Sequence, residues 1–123
     1  MGTQGVVSII GENKKVLYKI VVGCNGAKAP KLAETLMKQK PHGIYRIYDV
    51  AKQHHFGCPS CLVVMDSQLA ILGLDGDDND LVDRYRNTFQ DPTFNPRWDL
   101  GTAAYVEIVD YDGLRPSKIK EEE

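Results

Sequence analysis

Residues 54–61 read HHFGCPSC and bring two of the chain's three histidines and two of its three cysteines together. Cys58 and Cys61 stand in C-x-x-C spacing, which lets two thiolates on one tight turn fill adjacent corners of a zinc tetrahedron. His55 precedes Cys58 with two residues between, and His54 with three, so either can reach a third corner. Cys24 is the remaining soft ligand, and the expected metal set is Cys24, His55, Cys58 and Cys61. The pattern is incomplete, because a full zinc signature carries a second C-x-x-C or an H-x-x-x-H. His42, the third histidine, is expected to point elsewhere.

Cys-Pro-Ser-Cys also has the form of a redox dithiol. Such sites place the first cysteine at a helix N-terminus, where free N–H groups and the dipole stabilise its thiolate. Here a helical pattern precedes the cysteines and a strand pattern follows them, so the helix would present its negative end. The plainer reading needs no ligand. His54 and His55 lie four residues beyond Val50 and Ala51 and extend an apolar stripe. Cys61 opens the run CLVVM, and free cysteine is commonly buried as a small hydrophobe.

A second candidate is Gly23-Cys24-Asn25-Gly26, which joins a predicted strand to a predicted helix. Free N–H groups of a first helical turn, with Lys28 and Lys31 beside them, suit a phosphate or carboxylate. The expected anion-binding residues are Asn25, Gly26, Lys28 and Lys31, with Cys24 as a reactive thiol in an enzymatic version. The stretch is neither a Walker loop nor a G-x-G-x-x-G fingerprint, and Asn-Gly serves equally well as a turn. Residues 75–80, DGDDND, resemble the start of a calcium loop. Asp80 and Arg86 occupy positions where an EF-hand needs Gly and Glu. The segment from Phe94 to Trp98, FNPRW, lies in a long predicted loop of the kind that forms lids or binding surfaces.

The elements that must position these residues follow from periodicity. Val6–Ile10 and Val16–Val22 read as strands around a Gly11–Lys14 turn, an antiparallel hairpin. In the second strand, alternation puts Val16, Tyr18, Ile20 and Val22 on one face and Lys19 on the other. Residues 29–39 form a predicted helix with Pro30 in its first turn, a stripe of Leu32, Ala33, Leu36 and Met37, and Pro41 beyond it. A second helix is predicted over about 43–55, with Ile44, Ile47, Tyr48 and Ala51 inward. Cys61–Met65 and Leu69–Leu74 make a second hairpin around Asp66-Ser67-Gln68. Asp80 is placed to cap a third helix carrying Leu81, Val82, Tyr85 and Phe89 inward. A last strand is predicted at about 103–109. Tight turns exclude a parallel Rossmann-like sheet for these hairpins. The expected fold is α+β: a mostly antiparallel sheet of about five strands, from two hairpins and a C-terminal strand, with about three helices packed on it.

Composition narrows the classes. Length suits one domain, expected over 1–116, with 117–123 as a charged, frayed tail. The formal charge of −2, with signs interspersed, argues against broad nucleic-acid binding, which needs a basic face. No apolar run approaches the ~18 residues of a membrane span, and the N-terminus lacks the form of a signal peptide. Three cysteines cannot all pair within the chain, which favours a reducing cytoplasm.

The opening MGTQGVVSI resembles the MGTRG start of small uncharacterised bacterial and phage proteins, and AAYVEIVDYDG is similar to their closing tyrosine-rich strand and acidic turn. Gln4 departs from the usual arginine. The resemblance implies a small stand-alone microbial domain and supplies no catalytic residues. The leading expectation is a cytosolic, non-enzymatic domain that binds a protein or small molecule; the ligand-free reading of the cysteine and histidine cluster leads narrowly, and structural zinc there is the next alternative. The alternative is a small enzyme or ligand-binding protein acting on an anion at the Gly23–Lys31 loop.

Overall fold

The computed structural model describes residues 4–22, 26–54, 62–72, 83, 86–91, 104–111 and 115–121. Strands β1 (Gln4–Ile10) and β2 (Val16–Val22) form the first hairpin, around a short 3-10 turn at Glu12–Lys14. Helices α1 (Ala29–Gln39) and α2 (Ile44–His54) follow, then β3 (Leu62–Met65), β4 (Ala70–Leu72), β5 (Ala104–Asp110) and β6 (Arg115–Glu121). The strands make one six-stranded sheet in the order β4-β3-β2-β1-β5-β6.

Two expectations about the sheet are corrected. It is mixed, because β5 runs parallel to β1 in the register Val7↔Glu107 while every other pair is antiparallel. A hairpin forces its strands antiparallel, but a strand arriving after a long connection can approach an open edge in either direction. There is also a sixth strand. Residues 117–121, expected in a charged tail, belong to β6, which pairs with β5 from Asp110↔Arg115 to Ala104↔Glu121. An edge strand has one neighbour, so its sequence tolerates charges and a proline such as Pro116.

Two α-helices of this length appear among the described residues, rather than about three. The third, expected from Asp80, falls mostly outside them: Leu81, Val82 and Tyr85 are not described. Asp83, Arg86 and Asn87 are helical, and Phe89 N–H donates to Arg86 O.

The helices form where the patterning requires. In α1, Pro30 occupies the first turn, and Ala29, Leu32, Ala33 and Leu36 are buried. The helix stops at Lys40, whose left-handed φ of 46° still lets its N–H reach Leu36 O at 2.7 Å. In α2, Ile44, Ile47, Val50 and Ala51 are buried. Both stripes press onto one face of the sheet, against Val7, Ile9, Ile20, Val22, Leu62, Val64 and Val109. The opposite face holds a second apolar cluster of Val6, Ile10, Val16, Val21, Val63 and Met65, with Phe89 packed among them.

Val16 belongs to that second cluster, not to the face of Tyr18 and Ile20. The cause is a register shift after Ile9↔Tyr18, so that Ile10 pairs with Val16. The extra residue reverses the side-chain alternation along β2. In the second hairpin, Asp66 Oδ1 accepts from Gln68 N–H at 2.7 Å and Leu69 N–H at 2.6 Å, fixing the turn. No helix among the described residues is long and apolar enough to cross a membrane.

Candidate functional site

The most unusual side chain in the sheet is Lys19, fully buried on β2 among apolar neighbours. Its register partners are Ser8 on β1 and Met65 on β3, so it rises from the second face. Its Nζ donates to Thr88 O at 3.1 Å and to Asp91 O at 2.6 Å. Those carbonyls end the turn formed by residues 86–91, where Asp91 N–H donates to Thr88 O. Beside them, the Gln90 amide pairs with the backbone of Val16, accepting its N–H at 3.0 Å and donating to its carbonyl at 3.1 Å. Gln90 thus satisfies both backbone polar groups of Val16, much as a strand partner would. Burial pulls the Lys19 pKa down to about 8, against the attraction of the Asp91 carboxylate.

Alternation along β2 gives Lys19 a face but points to no role for it. The signal lay in its neighbour two positions on: Val21 shares its face and is apolar, so a lysine there must be covered rather than solvated. The residues that cover it are 69 and 72 positions away, and no local pattern points to them.

A second buried charge, Glu107, is 2% exposed and lies opposite Val7 on the helix-facing side. It is engaged by other groups, while its Oε1 atom accepts no hydrogen bond among the described residues. At the end of the sheet where β1 and β5 finish, Tyr111 is buried and its hydroxyl donates to Pro41 O at 3.4 Å. Burial, reinforced by nearby Tyr18, pushes the Tyr111 phenol up to about 12. Tyr18 in turn accepts from Gly43 N–H at 3.1 Å, and the His42 ring meets Tyr111 edge-on with centroids 5.6 Å apart. This group ties the α1–α2 connection to the sheet.

Of the residues singled out by sequence, Cys24, Asn25, His55, Cys58 and Cys61 lie outside the described residues, as do Asp75–Asp80 and Phe94–Trp98. Among the described residues no three His, Cys, Asp or Glu side chains come together as a metal site. Gly26 and Lys28 belong to a 3-10 turn that runs directly into α1, so the helical trace begins at Gly26. Lys28 and Lys31 are both exposed. His42 is exposed at the α1–α2 connection.

The elements flanking the cysteine cluster are described. Val22, the last residue of β2, is the register partner of Leu62, the first residue of β3. Cys24 follows Val22 by two positions, and Cys61 immediately precedes Leu62. Helix α2, which packs on β3, ends at His54, one position before His55. Comparison of the chain with protein-family models, curated proteins and solved structures returns no match.

Proposed function

We propose that the chain is a small binding domain, not an enzyme, with a structural zinc ion held by Cys24, His55, Cys58 and Cys61. The observation supporting this reading is the Val22↔Leu62 pair. It ties the chain two residues before Cys24 and one residue after Cys61 to neighbouring positions on adjacent strands. Three thiolates and an imidazole from those segments would make a Cys3His site, closed to water and suited to holding structure. Its chemical role would be to pin the exits of β2 and α2 to the entry of β3.

The test is elemental analysis of protein purified without an affinity tag, alongside thiol titration. One zinc per chain is expected, lost in Cys58→Ser and Cys24→Ser and kept in His42→Ala. Three freely titrating thiols with no metal would sink the reading. A single thiol reacting unusually fast near neutral pH would instead favour Cys24 as a reactive group on an anionic ligand.

A further inference from the structure

The 86–91 segment and Lys19 form a device that the zinc reading does not involve. The segment crosses the second face of the sheet and buries Phe89 in the second apolar cluster. Its polar contacts with β2 include the paired Gln90–Val16 bonds and the two Lys19 bonds. We propose that residues 86–91 are a strap whose docking on β2 is linked to release of a proton from Lys19. With the strap lifted, Lys19 faces water and holds its proton as an ammonium. Between about pH 8 and the ordinary lysine value near 10.4, docking removes that water and Nζ passes one proton to solvent. The neutral amine keeps two N–H donors, and Thr88 O and Asp91 O are among the acceptors within reach.

The surroundings set the direction of the linkage. The register partners of Lys19 are Ser8 on β1 and Met65 on β3, neither of them charged. From the strap comes the Asp91 carboxylate, which favours the ammonium, but burial outweighs it. Arg86 is directed elsewhere, donating to Ser67 O at 3.3 Å. The docked amine therefore titrates below the exposed one. Docking strengthens as pH rises from about 8 towards the ordinary lysine value near 10.4. Within that window the ratio of docked to lifted strap grows by up to about tenfold per pH unit.

Hydrogen exchange at the Val16 amide reads this directly, because its N–H is covered by Gln90 Oε1. Intrinsic exchange rises about tenfold per pH unit, so a constant opening equilibrium gives a rate that rises equally. In the wild-type protein the Val16 rate is expected to climb below pH 8 and level off between pH 8 and 10. In Lys19→Met it should climb throughout. Asp91→Asn, which removes the attraction but keeps the amine, should move the break to lower pH. This second variant decides the matter if Lys19→Met does not fold. A wild-type rate that climbs through pH 10, levelling that persists in Lys19→Met, or an unmoved break in Asp91→Asn would each overturn the proposal.

Discussion

At the residue scale, the chain places ionisable groups where apolar ones would ordinarily sit, and Lys19 and Tyr111 each leave a pH signature. Tyr111 carries its hydroxyl into a buried corner, and its folded-state pKa is raised to about 12. The ordinary tyrosine value is about 10, so the folded state holds this proton more tightly than the unfolded chain. The stability it contributes is present below pH 10 and is lost as pH rises towards 12. Urea unfolding at pH 9 and pH 11 should therefore show a smaller alkaline loss in Tyr111→Phe than in the wild type. At neutral pH the same substitution should cost only about 0.5 kcal/mol, because its bond to Pro41 O is long. Tyr18→Phe gives up a shorter bond, from Gly43 N–H, and should cost about 1 kcal/mol. Equal pH profiles for Tyr111→Phe and the wild type would contradict the burial account.

At the scale of elements, connections are as telling as the helices and strands they join. Gly43 has φ +96° with open space where a Cβ would point. Gly43→Ala would meet no steric obstacle, yet it should destabilise the fold by about 1–2 kcal/mol through backbone strain alone. Gly11 presents the opposite case: an added Cβ would lie 2.8 Å from Leu17 Cδ1, a half-exposed side chain that can swing away. Thermal unfolding of Gly11→Ala should accordingly show the smaller loss, and the reverse order would refute the distinction.

These elements also show what the sequence made legible. The predicted helix over 29–39 coincides with α1, and the one over 43–55 differs from α2 by a residue at each end. The turn chemistry placed both hairpins, because Gly11 and Asp66 act locally. The bulge that turns Val16 over was invisible, since it depends on pairing across the hairpin rather than on composition. The strand β6 was missed because edge position, not hydrophobicity, allows SKIKE to pair. Lys19's burial depended on a segment remote in sequence. The candidate zinc ligands were legible only as residue types and spacing; Val22↔Leu62 supplied the spatial relation between their flanks.

At the scale of the whole molecule, two antiparallel units are stitched together by one parallel pairing. Hairpin β1–β2 borders β3–β4 on one side, and β5–β6 joins through β1 on the other. Removing β6 with a chain ending at Leu114 should leave a folded but less stable protein, because β5 becomes the open edge while β1 stays paired on both sides. A chain ending at Thr102 loses β5 as well and bares β1, whose Val7 and Ile9 belong to the main core. It should show no cooperative unfolding transition by circular dichroism. Cooperative unfolding of that shorter chain would mean the parallel pair is an accessory to the fold.

The Val7↔Glu107 pairing spans one hundred residues (107 − 7) of the chain. That distance has a consequence during synthesis on the ribosome. The first strand emerges almost at once, but its second neighbour is among the last segments translated. At ~5–20 residues per second, β1 waits several seconds with one edge bare. A nascent chain in that interval carries an unpaired strand rich in valine and isoleucine, the form most prone to pair with a neighbouring copy. For this protein, the hazard in making the sheet falls between the first hairpin's completion and the arrival of β5.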